Sequence, residues 1–429
     1  MKGTSKIGFW SSTALVVGNM IGSGIFVIPA SLAIYGSLSL LGWLFSSLGA
    51  VLLAIVFGNL SKLVPAANGG PYAYTKVSFG AFPAFLVAWS YWISVWTANA
   101  AITVALVGYL GVFFPVLDSN PVLAVVTGLA FIWFFTWVNT QSIKTVGFVQ
   151  LATTLLKMIP IICVGFFGLF YISEATYFPE FNPSGTSDFS ALTAVVTLTF
   201  FAFLGLESAT IPSDSVEDAQ KTIKKATFIG TFIAILLYVV SSYVIMRMIP
   251  TETLMHSNAP FADAAALLWG DSARYLVAIG AIVSTMGALN GWLLIQGQMP
   301  MAAAQDQLFP KIFKKTNSKG APAIGIFLSS LLVSVLMILN YSKGMVAAFT
   351  FMIMLSTLAT ILPYLLSTGS FALLVRKENK KNKILKYTIA LLAFCFSIWI
   401  VIGCGLEVTL WGAALLLAGV PFYFLVQKK

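Results

Sequence analysis

The sequence has very few charged residues for its length. Charged side chains make up 9% of the 429 residues, hydrophobic ones make up 59%, and the mean hydropathy is +0.93. This composition excludes a soluble globular protein, because such a protein needs a polar surface, and it indicates that lipid surrounds most of the chain. The net charge of +10 is carried by short segments between apolar runs, which points to membrane topology rather than to nucleic-acid binding.

Histidine and cysteine are also scarce, and this excludes several kinds of chemistry. The single histidine, His256, cannot form a histidine-based metal site. The three cysteines lie in apolar stretches without CxxC spacing, so we expect core residues and neither disulfides nor metal ligands. The sequence has no phosphate-binding loop, no visible filter and no nucleophile paired with a base, which argues against an ATP-driven pump, a channel and an enzyme. No cofactor is indicated.

Apolar stretches long enough to cross a bilayer recur along the whole chain. About 20 apolar residues span the hydrocarbon core as an α-helix, and lipid admits only helices or closed barrels. No alternating barrel pattern is visible, so the prediction is an all-α integral membrane protein with twelve transmembrane helices. The predicted spans are residues 8–33, 39–63, 82–115, 121–141, 147–173, 189–213, 226–249, 272–304, 321–340, 345–375, 387–406 and 408–427.

The loop charges predict the orientation, since cytoplasmic loops are enriched in Lys and Arg. With the N-terminus inside, 20 of the 24 basic residues fall on the cytoplasmic side and only Arg247, Arg274 and Lys343 on the outer side. We therefore expect a plasma (inner) membrane protein with both termini in the cytoplasm.

The remaining basic residue, Lys157, lies inside the fifth span, where an ammonium group is costly. It is a candidate coupling residue, or else a structural lysine that reaches a headgroup or a carbonyl.

Two spans carry helix-weakening residues at their centres. The first contains GNMIGSGIF (18–26), and the sixth contains Gly205 and the carboxylate of Glu207. Interrupted helices at corresponding positions in two halves are typical of transporters built from inverted repeats. The prediction is one transmembrane domain, residues 1–429, with a five-plus-five inverted repeat (about 8–173 and 189–375) and two extra C-terminal helices (about 387–427).

An unwound helix segment suits an amino acid. Its free N–H groups and the positive end of the following half-helix attract a carboxylate, and its free carbonyls attract an ammonium group. Glycine tolerates unwinding and allows close ligand approach, and the Ser23 hydroxyl adds a polar group. The alternative interpretation is that Gly18 and Gly22, spaced as GxxxG, only let another helix pack closely.

Four motifs are similar to those of the amino acid–polyamine–organocation superfamily and occur in the same order. They are GNMIGSGIFVIPA (18–30), GGPYAY (69–74), FLGLESA (203–209) and AAAQDQLFPKIF (302–313). Over nearly its whole length the chain resembles the bacterial members that exchange basic amino acids and polyamines. This resemblance implies a LeuT-like fold and alternating access, with helices one, two, six and seven rocking against the rest.

The resemblance also implies a set of site residues, with Gly22, Ser23 and Gly24 binding the substrate α-carboxylate. The implied substrate-binding residues are Asn19, Ile21, Gly22, Ser23, Gly24, Asn99, Ile102, Phe201, Leu204, Trp292 and Ser356. The implied gating or coupling residues are Tyr91, Lys157 and Glu207. Phe201 stands where the basic exchangers have a capping tryptophan, and an aromatic face attracts a guanidinium or ammonium group.

Several of these assignments have alternatives. Asn99 can bond another helix instead of the substrate, and Phe201 can be an ordinary core aromatic. Glu207 can carry a proton, sense substrate, pair with a lysine or make a structural hydrogen bond. Lys157 departs from the basic exchangers, and a lysine in helix five resembles the proton-coupled permeases of the superfamily. A buried ammonium can lose its proton, which provides a means of proton coupling. An extra cation near the pocket also disfavours a cationic substrate side chain unless distance or Glu207 compensates, so arginine is not established as the substrate.

The expected function is a secondary active amino acid transporter that exchanges substrates or is coupled to protons. The alternatives are a polyamine/amino acid exchanger and, from a different class, a non-transporting membrane receptor or an intramembrane enzyme. Its expected partners are a small amino acid or polyamine, protons and the lipid bilayer. Related transporters include dimers, so a homodimer is left open. The residues do not decide which amino acid or amine is moved, or whether transport is exchange or proton symport.

Overall fold

The described part of the chain is built from α-helices. A computed structural model describes residues 8–64, 70–141, 158–172, 177–210, 216–377 and 382–427. The helices, labelled in chain order, are α1 (Phe9–Met20), α2 (Gly24–Ala33), α3 (Leu38–Leu63), α4 (Pro71–Phe79), α5 (Ala81–Gly111), α6 (Val116–Ser119), α7 (Pro121–Asn139), α8 (Met158–Tyr171), α9 (Asp188–Phe200), α10 (Ala219–Met248), α11 (Thr251–Leu254), α12 (Pro260–Trp269), α13 (Asp271–Gln305), α14 (Ala323–Asn340), α15 (Met345–Arg376), α16 (Lys383–Gly403) and α17 (Gly405–Gln427). Short 3₁₀ helices cover Phe201–Phe203, Ser208–Thr210, Lys311–Lys314 and Tyr341–Lys343.

Most of these helices are long and apolar enough to cross a membrane. Within the described ranges there are 10 candidate spans, formed by α1 together with α2 and by α3, α5, α7, α10, α13, α14, α15, α16 and α17. The helices α8 and α9 are shorter and also apolar. The prediction of an all-helical, multi-pass membrane protein is confirmed.

The first span is two helices rather than one. The helix α1 ends at Met20 and α2 begins at Gly24. The N–H of Ile21 donates to the Val17 carbonyl (2.8 Å) and that of Gly22 to the Met20 carbonyl (2.9 Å), which closes α1 before the interruption. This break is buried inside the protein, where its polar backbone is kept away from lipid.

A second interruption follows α9. The helix tightens into a 3₁₀ turn over Phe201–Phe203, and Leu204 is then extended, with ψ of 137°. The helices α5 and α15 lie beside both interruptions, because α15 packs against α5, α2 and the 3₁₀ turn, and α5 packs against α2. The helix α5 is buried along almost its entire length, which makes it the centre of the bundle.

The observed bounds differ from the predicted spans in a few places. The helix α10 begins at Ala219, ahead of the predicted start at 226, because its first turns carry lysines and extend beyond the apolar segment. The helix α5 ends at Gly111 rather than at 115, and Pro115 follows as the N-cap of the short α6. The helices α4 and α12 fall in segments that the hydropathy pattern treats as loops, since each is too short to cross a bilayer.

Candidate functional site

A small cavity lies between the two interruptions. It leaves about 40 Å³ of free space, room for a few water molecules and less than an amino acid needs. Most of the predicted site residues meet at its wall, namely Asn19, Gly22, Ser23, Gly24, Tyr91, Ile102, Phe201, Leu204, Glu207, Trp292 and Ser356. They come from α1, α2, α5, the second interruption, α13 and α15, so only the tertiary fold brings them together.

The start of α2 presents donors to this cavity. The first N–H groups of a helix have no intrahelical partner. Phe26 donates its N–H to the Ser23 carbonyl (3.1 Å), whereas the N–H groups of Ser23 and Gly24 make no hydrogen bond within the described ranges. The Ser23 hydroxyl is 1% exposed and also has no partner among the described residues. Unpaired donors at the positive end of a helix suit a carboxylate.

The two interruptions contact each other through Gly205. Its φ is +98°, a conformation that favours glycine. A Cβ at this position would lie 3.3 Å from the backbone carbonyl carbon of Asn19, which is tighter than most side-chain contacts. Glycine at 205 therefore lets the second interruption pack directly on the end of α1.

Glu207 is held by two tyrosines from different helices. Its carboxylate is 1% exposed. The Tyr91 hydroxyl of α5 donates to Oε1 at 2.8 Å, and the Tyr364 hydroxyl of α15 donates to Oε2 at 2.6 Å. Short bonds of this kind to a carboxylate are among the stronger hydrogen bonds in proteins. They tie the second interruption to α5 and α15 at the wall of the cavity.

Two aromatic side chains complete the wall. Phe201 is 8% exposed and packs edge-on against Phe349 of α15, with ring centroids 6.4 Å apart. Its ring also closes over the start of α2, since a Cβ at Gly24 would lie 3.1 Å from it. Trp292 of α13 is half-buried. Both rings line the cavity, and aromatic rings of this kind can attract a bound cation.

Three predicted residues are not among the described residues that line the cavity. Asn99 is buried, and its side-chain N–H donates to Oε1 of Gln296 on α13 at 2.8 Å. This bond agrees with the alternative that Asn99 links two helices instead of contacting the substrate. Ile21 is buried in the first interruption and is not among the residues that line the cavity. Lys157 lies outside the described residues.

Comparisons with known proteins cover nearly the whole chain. The sequence profile of the amino acid permease family matches residues 7–420. The chain is 34% identical to a cadaverine/lysine antiporter of Escherichia coli, over 86% of this chain and 83% of the relative. It is 32% identical to a putative arginine/ornithine antiporter of Bacillus subtilis (100% and 98% covered) and 30% identical to the putrescine transporter PotE of Haemophilus influenzae (99% and 98%).

The chain belongs to the amino acid permease family. The predicted resemblance to the amino acid–polyamine–organocation superfamily is thus confirmed. The expected class of function is confirmed as well: the permease is a secondary transporter and not an enzyme.

Sequence reasoning missed Tyr364 of the permease. The signal was present, because Ser356, Thr360 and Tyr364 are spaced four residues apart in an apolar helix and so lie on one face. Ser356 and Thr360 line the cavity, and Tyr364 reaches Glu207. The hydroxyl of Ser356 is already used, since it donates to the Ser94 carbonyl of α5 at 2.8 Å.

Proposed function

We propose that this permease exchanges a basic amino acid for a second basic amino acid or an amine, by alternating access. This proposal rests on the charge of the cavity. Glu207 is the one acidic side chain among the described residues that line it, and none of those residues is basic. A bound cation would therefore offset the cost of burying a carboxylate. The relatives named above are named for lysine, cadaverine, arginine, ornithine and putrescine, which all carry amine or guanidinium groups.

The donors at the start of α2 orient the substrate in this proposal. Its α-carboxylate accepts from the N–H groups of Ser23 and Gly24 and from the Ser23 hydroxyl. Its cationic end is directed toward Glu207, and the rings of Phe201 and Trp292 supply cation–π attraction. Asn19, Ile102, Leu204 and Ser356 shape the pocket, and Ile21 and Asn99 support it from behind.

The small size of the cavity supports alternating access. An amino acid enters only if the wall moves, and the wall is closed by Phe201 and by the bonds from Tyr91 and Tyr364 to Glu207. We expect these contacts to break and re-form as the site opens to either side. The two interruptions support an inverted repeat within twelve transmembrane helices, counting α8 and α9 with the 10 longer spans.

The orientation is part of the same proposal. We expect both termini on the cytoplasmic side of the inner membrane, because the loop charges are strongly asymmetric. Labelling of single cysteines placed near residues 319 and 343 with an impermeant reagent on intact cells tests this. Position 343 should react and position 319 should not.

Counterflow in proteoliposomes tests the proposed exchange. Liposomes loaded with lysine, arginine, ornithine, putrescine, cadaverine or alanine are diluted into radiolabelled lysine or arginine. We expect the basic compounds to accelerate uptake and alanine to leave it at the level of empty liposomes. Uptake driven equally well by alanine, or no stimulation by any basic compound, would overturn the proposed substrate class.

A pH gradient distinguishes exchange from proton symport. For an exchanger we expect net uptake into empty liposomes to be unaffected by an inward proton gradient. Gradient-driven net uptake that Lys157→Ala abolishes would replace exchange by proton symport through that lysine. Gradient-driven uptake that survives in Lys157→Ala would direct attention to Glu207 instead.

A further inference from the structure

A second pocket lies between α3 and α10. Unlike the cavity, it is strongly basic. It has a volume of about 360 Å³ and is lined by four lysines, Lys62 from the last turn of α3 and Lys221, Lys224 and Lys225 from the first turns of α10. Lys386, at the start of α16, acts electrostatically on Lys224, as does Lys62. Two helices thus bring four lysines to one pocket, and the charge of a fifth lysine acts on Lys224.

Close packing directs the central lysine into this pocket. The stem of Lys224 crosses α3 next to Gly58, where a Cβ would lie 3.1 Å from the Lys224 Cγ. Gly58 is one turn before Lys62 on the same helix, so the two ammonium groups are brought to one side of the pair. Like charges held together cost free energy unless an anion joins them.

Among the described residues, only one acidic side chain forms a salt bridge with these lysines. Asp218 pairs with Lys221 at 3.3 Å, and this pair is exposed. Lys62, Lys224 and Lys225 make no salt bridge within the described parts of the chain. The three lysines of α10 also oppose the dipole of that helix, because cations are unfavourable at a helix N-terminus. The positive-inside rule explains why lysines lie on this side of the membrane, but not why two helices bring four of them to one pocket.

The remaining wall of the pocket is apolar and faces outward. Phe228 and Ile229 on α10 are exposed, and Ile55 on α3 is half-buried. In a membrane-spanning helix, exposed apolar side chains contact lipid tails. The pocket therefore joins a cationic end to an apolar groove that runs toward the middle of the membrane. Basic pockets between transmembrane helices are suited to anionic lipid headgroups.

We propose that this pocket binds one anionic phospholipid of the adjacent leaflet. The phosphate lies between Lys62 and Lys224, Lys225 extends the cationic rim, and an acyl chain lies along Ile55, Phe228 and Ile229. The lipid links the end of α3 to the start of α10. This site is separate from the transport cavity and does not depend on which substrate is carried.

Native mass spectrometry with defined lipids tests the proposal. The purified full-length protein is titrated with dioleoyl phosphatidylglycerol or dioleoyl phosphatidylcholine, and bound lipids are counted. We expect one phosphatidylglycerol to bind more tightly than the rest, and more tightly than phosphatidylcholine. In the double variant Lys62→Gln/Lys224→Gln its affinity should fall about 30-fold, which is about 2 kcal/mol at roughly 1 kcal/mol per lysine.

Two further variants serve as controls. Lys76→Gln/Lys315→Gln removes the same charge from exposed lysines that line neither this pocket nor the cavity, and should keep the tight site. Lys62→Arg/Lys224→Arg keeps the charge and should retain binding. An equal loss in both Gln variants, unchanged binding in Lys62→Gln/Lys224→Gln, or equal binding of the two lipids would overturn the proposal. Displacement of the lipid by millimolar inorganic phosphate, or a protein dimer in place of the lipid-bound monomer, would overturn it too.

Discussion

The two hydrogen bonds to Glu207 should hold the cavity closed, and removing them should open it. The variants Tyr91→Phe and Tyr364→Phe each delete one hydroxyl and leave the ring in place. The first removes the 2.8 Å bond to Oε1, and the second removes the 2.6 Å bond to Oε2. Each leaves a buried carboxylate oxygen with one donor fewer, so the closed conformation is destabilised relative to any open one.

The size of the effect follows from the nature of the bonds. A hydrogen bond to a charged group contributes about 1.5–3 kcal/mol. If a bond is made only in the closed conformation, its loss raises the open population by about 10- to 150-fold. Because both bonds share one carboxylate, we expect the double variant to deviate from additivity by about 0.5 kcal/mol or more.

The open population can be read from cysteine labelling. Thr360 lines the cavity and is 2% exposed, so Thr360→Cys in a background without the three native cysteines reports when water reaches the site. The labelling rate with a small thiol reagent is proportional to the open fraction when opening is fast. We expect each Tyr→Phe variant to raise this rate by about tenfold or more.

A matched control separates this effect from the loss of any buried hydroxyl. Tyr238 is fully buried, and its hydroxyl has no hydrogen-bond partner among the described residues. Tyr238→Phe should therefore leave the labelling rate unchanged. If Tyr91→Phe and Tyr364→Phe both label within about twofold of the parent, the tyrosine–carboxylate bonds do not close the cavity and this reasoning is refuted.

Three further predictions concern other positions. Gly24→Ala should weaken substrate affinity, measured by calorimetry, about tenfold or more, because the added Cβ would press on the buried Phe201 ring. Gly22→Ala is the control, since its Cβ meets only the Ala288 Cβ at 3.9 Å, and it should lower the affinity less. Gly205→Ala should lower the melting temperature more than Gly185→Ala does, since both positions have positive φ but only Gly205 has close neighbours; equal losses would contradict this. Burial raises the pKa of the Asp118 carboxyl above its ordinary value, so the folded state binds more protons than the unfolded state there, and stability falls as pH rises through that window. Asp118→Asn should accordingly melt higher than the parent at neutral pH and lose this advantage at about pH 4, and a constant difference across this range would exclude the mechanism.

The lipid-facing architecture was largely predictable from the sequence. Apolar runs define where helices cross the membrane, because lipid offers no partners to an unpaired backbone. Where prediction and structure differ, polar residues extend a helix beyond its apolar segment, as at the start of α10, or a helix is too short to give a hydropathy signal, as in α4. The GSG stretch also marked an interruption, because glycine and serine are weak helix formers that tolerate unwinding.

The cavity needed the tertiary structure. Tyr91 and Tyr364 are 273 positions apart, and nothing local indicates that both reach one carboxylate. The partner of Asn99 could not be predicted for the same reason, since an amide in an apolar helix needs a partner but the sequence does not say which. The basic pocket is a similar case, because the loop charges predicted only a side of the membrane.

The sequence by itself thus determined the all-helical membrane class, the family and the position of the first interruption, because each depends on composition or on contiguous residues. The tertiary structure alone decided that Gly205 packs on Asn19, that Glu207 bonds two tyrosines, and that Lys62 and Lys224 share a pocket. These contacts join residues far apart in the chain, and only the packing of the helices brings such residues within bonding distance.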